Sequence, residues 1–421
     1  MKIGVVGCGY VGFGVVVNMT VKGHQCICYD INKQKIENLK NKQLPFYEKD
    51  FEEVYNKNHH LMTFVDDLKV VIDECDVIYF AINTPANEQG RCDISNLQNA
   101  IMSANQYVTT NKLFIIKSTS EVGTTDNFKT VLNPKVSLVF SPEFLAQGEL
   151  VHNTIYPQRL VFGLDKNDAF ARKLLDEIYQ KEMINNIQVI YTDYKTAELA
   201  KYACNTFLAM RVSFINNISQ LCEKLNADIG TIETVMKLDD RIGSKYLSSG
   251  LGFGGSCFPK DIEALKFIAN TNGVDCSLID NIKQINFAQT EYAVSQIKEY
   301  SSNNKILVLG TTFKKDTSDI TNSPSLRLIS SLLENNFEVY VYDLVKVDLS
   351  RYKDKDKITR VEDFDKAVND FDNIVIASDW NEFKKLKEFK FASHKNIFDY
   401  KKLLEKVSID NCTIYSIGKS K

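Results

Sequence analysis

The densest chemistry in the chain lies in Gly252-Phe253-Gly254-Gly255-Ser256-Cys257-Phe258-Pro259-Lys260-Asp261. Four of these ten residues are Gly or Pro, so the backbone should bend sharply and let a ligand approach the main chain closely. Cys257 places a thiol in that bend, with Lys260 and Asp261 just beyond it. A nearby cation lowers a thiol pKa from about 8.5, and a carboxylate can accept a proton. The set could therefore carry out nucleophilic catalysis, or it could be a tight turn with an incidental buried cysteine.

What the thiol would react with must be sought elsewhere in the chain. Residues 2–6 (Lys-Ile-Gly-Val-Val) read as a buried parallel strand. Gly7-Cys8-Gly9-Tyr10-Val11-Gly12 follows, then an apolar helical stretch ending near Gly23, then a strand from Gln25 to Tyr29 that ends in Asp30. Strand, glycine-rich turn, helix, strand and acid at this spacing form a dinucleotide-binding fingerprint. Its glycines let the backbone reach a pyrophosphate at the helix N-terminus, and Asp30 can bond a ribose hydroxyl pair. A carboxylate there repels a 2′-phosphate, so the cofactor expected is NAD rather than NADP.

Further apolar runs end in small polar residues, as at the carboxyl edge of a parallel sheet where ligands bind. Asp76 to Ile82 leads into Asn83-Thr84-Pro85, Leu113 to Ile116 into Lys117-Ser118-Thr119, and Val136 to Phe140 into Ser141-Pro142-Glu143-Phe144. Thr84, Thr119 and Glu143 are thus site candidates, although each alone also suits a helix cap or turn. From Tyr194 to about Leu225 the pattern is helical without Pro or Gly. Lys201 and Asn205 share one face of that helix at i, i+4, while Glu198, three residues before Lys201, would suit an ordinary surface ion pair. So long and apolar a helix needs partners on more than one side, which predicts a spine between domains and a dimer interface.

A second α/β unit starts at the strand Lys305 to Leu309 and continues through Val339 to Tyr342, ending in Asp343, and Asn373 to Ala377. It has no GxGxxG. The expected fold is α/β, with two Rossmann-like doubly wound parallel-sheet domains joined by a long central helix and a helical dimerisation domain. The expected boundaries are 1–193, 194–300 and 301–421.

Composition sets the outer limits. The 421 residues allow two or three domains, and a net charge of −3 makes no electrostatic case for nucleic acid or an anionic membrane. Ten cysteines without a framework spacing suggest reduced thiols in a cytoplasmic setting. His24, His59, His60, His152 and His394 form no metal-ligand pattern, so no metal is expected. No run reaches the roughly 18 apolar residues of a membrane span.

Taken in order, Gly7-x-Gly-Tyr-Val-Gly, Ser141-Pro-Glu-Phe-Leu, Gly254-Gly-Ser-Cys-Phe-Pro-Lys-Asp, Phe313-Lys314 and Ser323-Pro-Ser resemble the UDP-glucose/GDP-mannose dehydrogenase family over essentially the whole chain. The resemblance implies oxidation of C6 of a nucleotide sugar from alcohol to carboxylate with two NAD⁺. Cys257 would hold the intermediate aldehyde as a thiohemiacetal and then a thioester. Lys201 and Asn205 would stabilise the oxyanion, Asp261 would act through water as general base together with Lys201, and Thr119 would order that water. Glu143, Phe144 and Leu145 would line the sugar site. For the cofactor, the resemblance implies Gly7, Gly9, Tyr10, Val11 and Gly12 at the pyrophosphate turn and Asp30 and Lys35 at the adenosine ribose. Thr84 and Thr119 would lie at the nicotinamide half, with Lys260 nearby. For the nucleotide sugar it implies Tyr246, Ser248, Gly250, Phe253, Gly254, Phe313 and Lys314, with Arg241 reaching across a homodimer or higher homo-oligomer.

The chain departs from the family pattern at four places. Gln147 replaces a usual Glu and cannot accept a proton, which removes any role there as a base in thioester hydrolysis. Thr321 stands where an NAD-contacting Arg is usual, Glu121 where Pro is usual, and Lys401 ends what is usually Asp-x-Arg. The motif wording leans towards UDP-glucose. UDP-galactose, UDP-N-acetylhexosamines and GDP-mannose stay open, as do a β-hydroxyacid dehydrogenase and an NAD and nucleotide-sugar binder without turnover.

Overall fold

The apolar runs form strands that feed alternate side chains into two layers, as the period of two demands. In the computed structural model, which describes residues 1–87, 89–405 and 407–419, two sheets result. The first contains β1 (Lys2–Val6), β2 (Gln25–Tyr29), β3 (Met62–Val65), β4 (Val77–Phe80), β5 (Lys112–Ile116), β6 (Val136–Phe140), β7 (Arg159–Leu164) and β8 (Gln188–Thr192). Its order is β3-β2-β1-β4-β5-β6-β7-β8, parallel except where β7 runs antiparallel to β6. Val77 and Tyr79 of β4 enter one core layer, and Ile78 and Phe80 enter the other.

The second sheet contains β9 (Lys305–Leu309), β10 (Glu338–Tyr342), β11 (Ile358–Arg360), β12 (Asn373–Ile376), β13 (Lys395–Asp399) and β14 (Cys412–Tyr415). Its order, β11-β10-β9-β12-β13-β14, is parallel throughout. Both sheets are doubly wound, with the chain reversing direction beside the first strand. The expected fold class is therefore present.

The helices used below are α1 (Tyr10–Val21), α2 (Thr124–Val131), α3 (Tyr194–Leu225), α4 (Ile229–Lys237), α5 (Cys257–Thr271), α6 (Ser277–Tyr300) and α7 (Pro324–Glu334). α3 runs for 32 residues, about 48 Å at 1.5 Å per residue. The chain divides into two compact units, one of residues 1–204 and 263–274, the other of residues 205–262 and 275–421. No helix among the described residues is long and apolar enough to cross a membrane. The ten cysteines are free thiols, and among the described residues no group of three His, Cys, Asp or Glu is placed to hold a metal.

Candidate active site

The glycine-rich turn of the first unit is built by close contact. Gly7 has φ +100°, and a Cβ there would lie 2.5 Å from the Ala81 carbonyl oxygen; one on Gly12 would lie 1.9 Å from that of Gly7. A Cβ on Gly9 would meet nothing within 4 Å. α1 begins at the next residue and has no side-chain cap at its N-terminus. Open space over Gly9 beside an uncapped helix end is what a pyrophosphate needs. Asp30, 8% exposed at the end of β2, accepts from the Cys8 N–H at 3.0 Å, the Asn32 N–H at 3.0 Å and Lys35 Nζ at 2.7 Å. These residues fit NAD, with the carboxylate held ready for a ribose.

Three strand ends continue this edge. The Thr84 hydroxyl donates to the Thr119 carbonyl at 2.8 Å, which ties the ends of β4 and β5 together. Beyond Thr119, the segment leading into α2 is fastened to α3: Glu198 accepts from the Gly123 N–H at 2.6 Å and from the Thr125 N–H and hydroxyl at 2.9 and 2.6 Å. Burial raises the Glu198 carboxyl to about 7. Glu121, one of the departures from the family pattern, bonds Arg91 at 2.7 Å and so fastens the same segment from the other side.

Lys201 reaches past its helical neighbour Glu198 to Glu143, with Nζ 2.6 Å from the Glu143 carbonyl and 2.5 Å from its Oε1. The surface ion pair suggested by spacing is thus replaced by a buried one, both partners being less than 9% exposed. Burial alone would raise the Glu143 carboxyl, but Lys201 outweighs it and holds it low, helped by the Leu145 N–H at 2.7 Å. The Phe144 ring centroid lies 5.6 Å from Lys201 Nζ. Lys117 completes this corner, its Nζ 3.2 Å from both Ser141 Oγ and the Pro142 carbonyl.

In the second unit the Cys257 loop turns directly into a helix. Cys257 is the first residue of α5, and Pro259 falls in the first turn, where its missing N–H costs nothing. Asp261, fully buried, accepts from the Asn205 amide at 2.6 Å through one oxygen and from Lys260 at 2.6 Å through the other. The preceding loop is fixed by buried side chains that bond its backbone. Asn216 accepts from the Gly250 N–H at 2.9 Å, and Gln289 donates to the Gly250 carbonyl at 2.9 Å. Asn286 bonds both the N–H and the carbonyl of Phe253 at 2.7 and 3.1 Å, and Glu233 accepts from the Ser249 N–H at 2.8 Å. A Cβ on Gly252 would lie 2.3 Å from Asn286 Oδ1, and one on Gly254 would lie 2.4 Å from the Asn322 carbonyl. The Gly255 N–H donates to the Thr321 carbonyl at 2.8 Å, so this position serves through its backbone.

The remaining expected residues are more dispersed. Tyr246 has φ +61° and its ring lies 5.8 Å from that of Phe258. The Ser248 hydroxyl bonds Lys237 at 3.1 Å. The Phe313 ring would lie 3.1 Å from a Cβ on Gly255, and Lys314 is the next residue, half-buried. Arg241 stands 89% exposed, paired with Asp239 at 2.7 Å. Sequence reasoning missed Lys117 and the loop-fixing residues Asn216, Glu233, Asn286, Gln289 and Arg327. Arg327 donates to the Phe253 carbonyl at 3.2 Å and lies over the Phe287 ring at 4.8 Å. Its position in the first turn of a helix opened by Ser-Pro was the available signal.

The UDP-glucose/GDP-mannose dehydrogenase family matches in three parts: its NAD binding domain at residues 1–183, its central domain at 195–288 and its UDP binding domain at 307–406. The UDP-glucose 6-dehydrogenase of Rhizobium meliloti (strain 1021) is 34% identical over 398 residues, covering 92% of this chain and 91% of that one. Among solved structures, a UDP-glucose dehydrogenase from the hyperthermophilic archaeon Pyrobaculum islandicum has a TM-score of 0.89 at 27% identity, covering 100% of this chain and 98% of that one. The UDP-N-acetyl-mannosamine dehydrogenase Cap5O from Staphylococcus aureus has a TM-score of 0.79 at 26% identity, covering 99% and 98%.

Proposed function

The chain belongs to the UDP-glucose/GDP-mannose dehydrogenase family and is an NAD-dependent nucleotide-sugar dehydrogenase, and from that premise we propose that it oxidises C6 of UDP-glucose to the carboxylate through Cys257. The observation that carries this reading is the placement of Cys257 at the N-terminus of α5, followed one turn later by Asp261 bonded to Asn205 and Lys260. A helix N-terminus favours an anion, and a thiolate there is the nucleophile an aldehyde needs.

NAD, held by Gly7 to Gly12 and Asp30, supplies the hydride acceptor for each of the two oxidations. Between them the Cys257 sulfur adds to the aldehyde carbon, which keeps the intermediate on the protein. Oxidation of this thiohemiacetal gives a thioester; water attacks its carbonyl, the C–S bond breaks and the thiolate leaves. Asn205, oriented by Asp261, and Lys201, held by Glu143, would donate to the oxyanion of each tetrahedral stage. Asp261 would take the proton of the attacking water, and Thr119 would order that water. Lys260 would lie beside the nicotinamide, and Tyr246, Ser248, Gly250, Phe253, Gly254, Phe313 and Lys314 would hold the nucleotide sugar. The likeness to the Staphylococcus aureus enzyme supports UDP-N-acetylmannosamine as a second substrate reading.

The same reading makes the protein a homodimer. Phe207, Phe214 and Leu221 follow each other at seven-residue steps along α3 and are 55%, 49% and 51% exposed, an apolar stripe that a second copy would cover. Arg241 would then reach the nucleotide sugar of the partner. Phe214→Asp should convert the dimer to monomer in sedimentation. For the activity, UDP-glucose should yield two NADH per sugar, and Cys257→Ser should abolish that turnover. One NADH with release of free aldehyde would sink the proposal.

A further inference from the structure

Lys117 follows β5 and directs its ammonium at the end of the next strand, 3.2 Å from Ser141 Oγ and 3.2 Å from the Pro142 carbonyl. One residue later Glu143 receives Lys201. Two lysines from different elements thus act on one three-residue segment. They set two ammonium groups beside the Glu143 carboxylate, an arrangement that costs desolvation energy. An apolar side chain of similar length would fill the space without that cost. Burial pushes Lys117 down to about 8, with Glu143 opposing the shift and Lys201 adding to it.

We propose that Lys117 is a positioning residue of the dehydrogenase reaction: it fixes Ser141 and Pro142 so that Glu143 meets Lys201. This rests on the reading in which Glu143 and Lys201 serve catalysis. Charged groups at this corner include Glu143 after β6, Lys201 on α3 and Arg159 of β7, whose guanidinium lies 4.0 Å from the Phe144 ring centroid. Lys117 donates to Ser141 and Pro142 from the neighbouring strand end, so its loss frees the segment that carries Glu143 to Lys201.

The test compares full-length wild type with Lys117→Met, Lys117→Gln and Lys117→Arg. With UDP-glucose and NAD, Lys117→Met and Lys117→Gln should lower kcat about tenfold and keep NAD affinity within twofold. Lys117→Arg should return kcat towards wild type, because it keeps donors for Ser141 and Pro142. Lysine labelled with ¹³C at Cε reads the Lys201–Glu143 contact through its chemical shift in NMR without any substrate, so the result stands even if neither UDP-glucose nor UDP-N-acetylmannosamine is oxidised. Absence of turnover with both sugars would count against the functional reading alone. A Lys201 resonance unchanged in the Met and Gln variants, or displaced equally in the Arg variant, would overturn the role of Lys117.

Discussion

The two sheets share one winding order but build their first turns in opposite ways. After β1, Gly7 at φ +100° leads within three residues into α1, whose N-terminus is left uncapped beside an open Gly9. After β9, Gly310 at φ +91° makes a similar turn, yet α7 does not start until Pro324. The intervening residues fill the space with their own hydroxyls. Thr311, Thr312 and Ser323 are buried, as is Ser378 after β12, and the Ser323 hydroxyl donates to the Thr311 carbonyl at 2.7 Å. The acids that end the second strands differ in the same sense. Asp30 is bonded to the glycine turn and to Lys35, whereas Asp343 is occupied by the Thr311 N–H and hydroxyl at 2.6 and 2.7 Å, and burial raises its carboxyl. Shared topology therefore leaves the first turn to the local sequence: the glycines of the first sheet lead straight to a helix end, whereas the second sheet inserts a loop with buried hydroxyls before α7, whose N-terminus also lacks a side-chain cap.

The largest expected effect tests whether the two turns are independent. Gly12→Ala, whose Cβ would lie 1.9 Å from the Gly7 carbonyl oxygen, should abolish NAD binding and leave UDP binding. Gly310→Ala, with its Cβ 2.3 Å from that of Ser378, should do the reverse. Each clash should cost roughly 3 kcal/mol or more at its own site. Calorimetric titration with NAD and with UDP checks both, and the contrast breaks if either variant loses both ligands.

A smaller effect concerns how the next loop along each sheet is held. In the first sheet the segment after β5 is fastened by the Glu198 carboxyl; in the second the Ser378 hydroxyl donates to the Thr312 carbonyl at 2.8 Å and carries no charge. Folded Glu198 keeps its proton up to about pH 7, whereas in the unfolded chain a glutamate loses it near 4.3. Its contribution is complete below the lower value and is lost as pH rises through the upper one. Wild-type stability should therefore fall by roughly 2–3 kcal/mol between about pH 4.5 and 7 from this group. Glu198→Gln should flatten that slope in denaturant titrations across the range, and an unchanged slope would refute the assignment.

The smallest effect separates the two acids. Asp30→Ala should weaken NAD about tenfold, the worth of one hydrogen bond to a charged group. Asp343→Ala should leave NAD affinity unchanged and lower the melting temperature by a few degrees. Equal loss of NAD affinity in both variants would mean that the second acid is not confined to its own turn.

Much of the fold was legible because buried strands and an uninterrupted helix carry strong local signals. The runs 2–6, 25–29, 136–140 and 305–309 and the helix 194–225 appear with the bounds their patterns suggest. Other strands shift by a residue or two, as at Val77–Phe80, where sequence placed the run from Asp76 to Ile82. Within the site, Asp30 and Cys257 announced themselves through spacing and motif. Lys117 did not, because a lysine at a strand end reads as a solvated residue until the neighbouring strand is in place. Asn216, Asn286 and Gln289 were equally silent, since polar residues on helices look solvent-facing in one dimension.

Lys201 shows where the division falls. Its place on a helix, and Asn205 one turn further along that helix, follow from the sequence by itself, because helical periodicity is a local property. Its carboxylate partner does not. Spacing offered Glu198 at three residues' distance, but the fold turns Glu198 to Gly123 and Thr125 and brings Glu143 across 58 residues of chain to Lys201. The reason is physical. Once both carboxylates and the lysine are buried, each must find its hydrogen-bond partners among whatever groups the packed strand ends supply, and that supply exists only in three dimensions.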